Sequence, residues 1–210
     1  MAQNGTLHAL FPTPLQWLEG LLPPSEAAEL CRRMQGSTPV ANSRSPVLAH
    51  TRLLAPGADA AIDGLAARLL PAIAAYGELL LGEPLRWSIK ELWANVLQPG
   101  GHQSLHNHAN SIVSGIVYLT PTEGATQTVF VKGIGGHDFK FTNQNRGTRT
   151  SAFNAERWIA PHAQAGDVAL FPSYLLHEVP PSQGGVRVTV AFNAIPERLD
   201  AWGYRLGLSG

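Results

Sequence analysis

The chain is 210 residues long and 44% hydrophobic, enough for one domain, or at most two, with a real core. Its 15 Lys and Arg balance 15 Asp and Glu for a formal net charge of zero. That excludes the basic excess that a nucleic-acid groove or an anionic membrane surface needs, and makes a small or medium-sized ligand the expected partner.

The first 85 residues read as mostly helical. Ser25 followed by Glu26-Ala27-Ala28-Glu29-Leu30 has the form of a capped helix start, and the helix should run to about Met34 or Gln35 before Gly36. Cys31, the only cysteine, lies inside this pattern as a packed thiol, and an intrachain disulfide or a thiolate metal cluster is excluded. Residues Ala58 to Leu81 carry Ile62, Leu65, Leu69, Ile73 and Leu79 to Leu81 at helical spacing, which reads as core packing. Pro71 is expected to split or kink that segment, because it removes an intrahelical hydrogen bond and clashes with the preceding turn. No basic segment followed by an apolar one opens the chain, and Leu79 to Leu81 is too short to span a bilayer. A soluble, cytoplasmic protein with no membrane partner is expected.

From Arg86 onward the pattern changes. Apolar, β-branched and aromatic runs appear at Trp87 to Leu97, Ser111 to Leu119, Gln127 to Val131, Asp167 to Phe171 and Val186 to Asn193, separated by Pro and Gly. Short strands without alternating helices predict an antiparallel sandwich or barrel, with the helices packed outside it in one domain. The Gly-, Asn-, Arg- and Thr-rich stretch from Gly133 to Ala165 is long for a plain loop and suits a lid or a substrate wall. Its neighbourhood holds Lys132, Arg146, Arg149 and Arg157, which read mostly as solvated charges.

His106-Asn107-His108 follows Pro99-Gly100-Gly101, so an extended backbone is the natural assumption. Residues two apart on a strand share a face, and both imidazoles then reach one ion. A third ligand has to come from elsewhere, and His177 stands just beyond the strand-like Val168 to Phe171. Packed core histidines are the competing reading of such a pair. His102 follows a glycine turn and reads as a surface residue or a support for the cluster; His8, His50, His137 and His162 receive no role.

Ten residues past His177 come Arg187 and Thr189, inside the alternating run Val186-Arg187-Val188-Thr189-Val190. Both therefore face away from the valines. An arginine inside a barrel is costly unless it meets a carboxylate, and a guanidinium beside a hydroxyl grips one through charge-assisted hydrogen bonds. That carboxylate is either an internal Asp or Glu or one brought by a ligand, and the nearby His177 favours the ligand.

This set of residues resembles the iron(II)- and 2-oxoglutarate-dependent oxygenases, whose fold is the double-stranded β-helix (jelly roll, cupin-like). Their pattern is His-x-Asp or His-x-Glu, a distal His, an Arg roughly ten residues later and a Ser or Thr two beyond. His106, His177, Arg187 and Thr189 match it. The blocks Leu92 to Asn95, His106 to Leu119 and Gly166 to Asn193 are similar to an uncharacterised bacterial branch of that superfamily, whose Ser-Gly-x-x-Tyr-Leu strand and Phe-Pro-Ser segment stand here at Ser114 to Leu119 and Phe171 to Ser173. The resemblance spans about residues 86 to 195, leaving 1–85 as the helical part and 196–210 as a C-terminal tail. It implies Fe(II) on His106, His108 and His177, and 2-oxoglutarate as co-substrate on Arg187, Thr189 and Tyr118. It also implies dioxygen as a partner and a small or amino-acid-like molecule as the substrate to be hydroxylated; Trp93, Asn95 and Asn110 are the residues expected at the substrate end. A homodimer is left open.

One position departs from the pattern: His108 stands where the family has Asp or Glu. Three readings follow: a third neutral ligand, a side chain turned away to leave water there, or a place supported by a hydrogen bond from Asn110. Three histidines are preferred, because two imidazoles on one strand face converge without strain and imidazole suits Fe(II). Other functions stay open at this stage: a three-histidine zinc enzyme, a cupin-type enzyme such as a thiol dioxygenase that ignores 2-oxoglutarate, and a non-catalytic metal- or ligand-binding module. A zinc hydrolase has no need of a buried arginine ten residues past its last ligand.

Overall fold

The computed structural model describes residues 6–37, 40–42, 45–54, 57, 59–122, 126–133, 145–182 and 184–208. Ala58, His137 and residues 134–144 of the long loop lie outside them. In chain order the elements are β1 (Gln16–Leu18), α1 (Pro24–Gly36), β2 (Val40–Asn42), β3 (Ser45–His50), α2 (Ala60–Leu81), β4 (Trp87–Leu97), β5 (Gln103–His106), β6 (Val113–Tyr118), β7 (Val129–Val131), β8 (Arg157–Ile159), β9 (Val168–Pro172), β10 (Leu176–Val179), β11 (Arg187–Pro196), β12 (Arg198–Ala201) and β13 (Tyr204–Gly207). A seven-stranded antiparallel sheet runs β1-β9-β6-β11-β4-β3-β2, and a four-stranded sheet runs β5-β10-β7-β8. The two face each other as an open double-stranded β-helix, not a closed barrel.

Alternation along the central strands divides the interior in two. Val188, Val190, Phe192 and Ala194 of β11, with Leu92 and Ala94 of β4, point outward under the helices and join Leu30, Leu65, Leu69 and Ile73 in one apolar cluster. The opposite face turns toward the smaller sheet, where Ile116, Tyr118, Ala169 and Phe171 meet Phe130 in a second cluster. Gly77 of α2 lets the helix settle on the Trp87 indole: a Cβ there would stand 2.1 Å from the ring.

Helix α2 has the length and apolar composition to cross a membrane, with a mean hydropathy of 1.4 over its best window. Its face of Ile62, Leu65, Leu69, Ile73 and Tyr76 is nonetheless buried in the core, as for a helix packed on a sheet. The helix starts on Asp59, whose carboxylate accepts from the Ala61 N–H, and ends on Gly82 at φ 73°. Of the expected split or kink at Pro71, the split does not occur, because the helix runs continuously from Ala60 to Leu81. Pro71 and Ala67, whose carbonyl loses its partner, are both exposed, so water can replace the missing bond.

The structure corrects three further expectations. Helix α1 begins one residue before Ser25, with Pro24 in its first turn and no side-chain cap. The N-terminal part is not mostly helix, since β1 pairs with β9 and β3 with β4. Residues 198–207 form the β12–β13 hairpin where a tail was expected. These strands are short, and their pairing partners define them more than their own patterns do.

Candidate metal centre

Strands β5 and β10 pair so that His106 stands directly opposite His177. Each ring is held by its own strand. His106 Nδ1 lies 2.7 Å from the Ser104 carbonyl and His177 Nδ1 lies 2.9 Å from the Leu175 carbonyl. A carbonyl can only accept, so Nδ1 carries the proton and Nε2 keeps its lone pair. His108 follows β5, and its main-chain N–H donates to the Ser173 carbonyl at 2.9 Å. Its Nε2 comes within 3.3 Å of His177 Nε2. One ligand atom from each of the three imidazoles lies within 4.8 Å of the other two.

Two ring nitrogens this close share either a proton or a cation. Nitrogens each about 2.1 Å from one tetrahedral ion stand about 3.4 Å apart, close to the observed spacing. Burial, then the neighbouring His106, lowers His108 to about 4; the same two causes, in the same order, lower His177 to about 3. Both rings are thus neutral at physiological pH, as metal ligation requires. The residues present fit a divalent metal.

Arg187 sits in the same cavity at 5% exposure. Its Nη2 donates to Thr128 Oγ1 at 3.1 Å, and Nη1 makes a long 3.5 Å contact with Thr189 Oγ1. Its carbon Cζ lies 5.5 Å from the centre of the Tyr118 ring. The buried Nε has no hydrogen-bond partner, and no carboxylate pairs with this guanidinium among the described residues. Burial pushes the Arg187 pKa down, with Tyr118 opposing. A desolvated cation among neutral hydroxyls is an incomplete arrangement, and a ligand carboxylate would complete it.

The cavity measures about 570 Å³. It brings together seven of the residues singled out in the sequence, His106, His108, His177, Arg187, Thr189, Trp93 and Asn95. Register explains the last four: Thr189 pairs with Asn95 and Ala191 with Trp93, all on the inward face of β11 and β4. Tyr118 lies behind the cavity, fully buried, its hydroxyl 2.9 Å from Thr128 Oγ1. Asn110 does not join the site. It is exposed, with a left-handed backbone at φ 55°, and serves the turn that leads into β6. Neither His102 nor any of Lys132, Arg146, Arg149 and Arg157 lines the cavity, and Arg157 instead pairs with Glu178 at 2.9 Å.

Sequence reasoning missed three residues. Thr128 links Tyr118 to Arg187 but looks like any strand threonine. His50 and Arg52 line the cavity from β3 and the segment after it, and without recognising β3 there was no signal to find them.

Comparison with known proteins supplies the family. Residues 91–193 match the family model described as "Putative 2OG-Fe(II) oxygenase". Over those residues the β core of this chain matches the 2OG-Fe(II) oxygenases. No sequence among the curated proteins matches the chain. Among solved structures, the oxygenase fold is shared with HygX from Streptomyces hygroscopicus, crystallised with nickel and 2-oxoglutarate, at 18% identity and TM-score 0.63 over 88% of this chain and 83% of that one. It is also shared with the non-heme alpha ketoglutarate dependent epimerase SnoN from nogalamycin biosynthesis, at 17% identity and TM-score 0.65 over 89% and 77%. A Pseudomonas putida prolyl-4-hydroxylase matches at 18% identity and TM-score 0.57 over 86% and 92%.

Proposed function

We propose that this protein is an Fe(II)- and 2-oxoglutarate-dependent dioxygenase that hydroxylates a small, amino-acid-like molecule, with His106, His108 and His177 holding the iron. The observation that carries this reading is the pairing of a three-imidazole cluster with a buried guanidinium that lacks a carboxylate, both in one cavity. The family match and neighbours crystallised with nickel or iron and with 2-oxoglutarate support it.

Bound iron would let dioxygen oxidise both partners, one oxygen atom going to the substrate and the other to 2-oxoglutarate, which leaves as succinate and carbon dioxide. The protein's own contribution is placement. Arg187 Nη1 and Nε, together with Thr189 Oγ1, would hold the distal carboxylate of the co-substrate through charge-assisted bonds. Thr128 fixes the guanidinium plane from the other side by accepting from Nη2, and Tyr118 backs it with its ring face. The Ser104 and Leu175 carbonyls hold the His106 and His177 rings with the proton on Nδ1 and Nε2 unprotonated. Trp93 and Asn95 would line the substrate end. The apolar walls of Leu48, Leu97, Ile116 and Val179 exclude water and strengthen the charge contacts inside.

Three imidazoles without a carboxylate also suit zinc, so the decisive experiment separates the two metals. Protein reconstituted with Fe(II) without oxygen should develop the weak visible charge-transfer band of a keto-acid chelate when 2-oxoglutarate is added. Tight stoichiometric zinc and no such band would replace the oxygenase reading with a zinc enzyme.

A further inference from the structure

We propose that the outer part of the cavity, around Arg52, binds an anionic group of the prime substrate, a carboxylate or a phosphate. The inference rests on the reading above, in which Arg187 is committed to the co-substrate.

The first observation is the charge of the walls. Among the described residues that line the cavity, two are arginines, four are histidines and none is acidic. Arg187 is buried deep; Arg52 is exposed at the mouth, and no acidic partner is found for it among the described residues. A divalent metal would add two charges, which a dianionic co-substrate would cancel. Both guanidiniums would remain, and the family's ligand carboxylate, which would offset one of them, is here the neutral His108. The cavity therefore stays net positive after its co-substrate enters, and a neutral or cationic substrate would leave that charge uncompensated.

The second observation is that Arg52 stands on a fixed backbone. The Thr51 N–H donates to the Ala94 carbonyl at 3.0 Å, and the Ala94 N–H returns a bond to Thr51 Oγ1 at 3.0 Å. The Leu54 N–H then donates to the Leu92 carbonyl at 2.7 Å. Residues 51–54 thus extend the β3–β4 pairing past the end of β3, and Arg52 is carried by the sheet, not by a free loop. Such placement lowers the entropy lost when the side chain closes on a ligand.

Polar groups beside it await partners. His50 Nδ1 donates to the Thr51 carbonyl at 3.0 Å, which leaves Nε2 as an acceptor without a partner among the described residues. Asn95, opposite His50 in register, and Gln103 also line the cavity, and neither side-chain amide has a hydrogen bond among the described residues. An acceptor and two amides next to a cation suit an anion that carries a hydrogen-bond donor nearby, as in an amino or hydroxy acid or a phosphorylated counterpart. Leu53 and Trp93 provide the apolar surface that lowers the local dielectric once the mouth is filled.

The test uses matched pairs of probes on the metal-loaded protein with 2-oxoglutarate, kept under nitrogen and read by thermal shift and calorimetry. The pairs are N-acetyl-leucine against N-acetyl-leucine methylamide, 4-hydroxybenzoate against 4-hydroxybenzamide, and phenyl phosphate against phenol. At least one anionic member should bind tenfold or more tightly than its neutral partner, and the carboxylate and phosphate arms identify which anion fits. Arg52→Gln should abolish that preference, Arg52→Lys should restore part of it, and 2-oxoglutarate affinity should not change in either. Absence of any anion preference, or a preference that survives Arg52→Gln, overturns the proposal. So does a loss of 2-oxoglutarate affinity in Arg52→Gln, which would assign Arg52 to the co-substrate. If wild-type protein binds no 2-oxoglutarate at all, the oxygenase reading fails, while the probe pairs, repeated on the metal-loaded protein alone, still decide the role of Arg52.

Discussion

Replacing Arg187 by methionine should make the ligand-free protein more stable and at the same time prevent 2-oxoglutarate binding. Two readings of a buried arginine predict opposite signs here. If Arg187 were half of an internal ion pair, its removal would strand a buried carboxylate at a cost of about 3–5 kcal/mol. Among the described residues its guanidinium meets Thr128, Thr189 and the Tyr118 ring but no carboxylate, its Nε has no partner there, and it is 5% exposed. Burying one such unsatisfied polar group costs about 1–3 kcal/mol, and methionine fills similar space without that cost. A gain of about 2 kcal/mol raises the Tm of a chain of this size by roughly 4–8 °C. Loss of a desolvated charge partner should weaken 2-oxoglutarate by about 2–5 kcal/mol, which is roughly 30-fold or more. Scanning fluorimetry of the metal-free protein and calorimetry of the metal-loaded protein measure the two effects separately. A variant that loses several kcal/mol of stability yet binds 2-oxoglutarate as before would make Arg187 a structural residue and refute the assignment.

Metal affinity should fall roughly a hundredfold in His108→Ala and largely return in His108→Asp, which restores the carboxylate of the family pattern; competition with a chelator measures both, and an unchanged His108→Ala would remove His108 from the ligand set. Acid should destabilise the metal-free protein. An unfolded histidine takes up its proton near pH 6.5, whereas burial and His106 keep folded His108 neutral down to about 4. The effect is absent above pH 6.5 and grows on acidification, reaching about 3 kcal/mol from His108 by pH 4. Urea midpoints that stay flat from pH 7 to pH 4.5 would contradict it. In Gly77→Ala, better helix propensity offers about 1 kcal/mol, but the new Cβ would lie 2.1 Å from the Trp87 ring and overpacking costs about 1–3 kcal/mol. The clash should win, and a raised Tm would show that Trp87 moves aside easily.

How much of this was legible in the sequence depended on how long each strand is and where it sits. Strands β4, β6, β9 and β11 were readable because they form the middle of the larger sheet, where long apolar or alternating runs are unavoidable. Strands β1, β2, β3, β5, β8 and β10 are three to six residues long and owe their conformation to a neighbour. The inward aim of Arg187 and Thr189 followed directly from period-two alternation. The union of His106 with His177 did not, because antiparallel register between β5 and β10 is a tertiary fact. Asn110 was misplaced for a related reason. Its closeness to His108 in sequence suggested a shared site, but a left-handed turn carries it outward.

The same division bears on how the two ends of the cavity can change. Arg187 and Thr189 belong to a central strand whose ten residues are all buried, paired with β4 on one side and β6 on the other. Every second residue of that strand is committed to the core beneath the helices, so its register cannot slip without expelling Val188, Val190 and Phe192 from their packing. The guanidinium end is therefore as rigid as the core itself. Arg52 instead lies just beyond the end of the short strand β3, where the Thr51 N–H bond to the Ala94 carbonyl holds the main chain but no core packing ties the side-chain choice. Substitutions at Arg52 are therefore expected to alter which small molecule enters without disturbing the deeper end, so that the larger sheet carries both a rigid guanidinium end and an adaptable mouth.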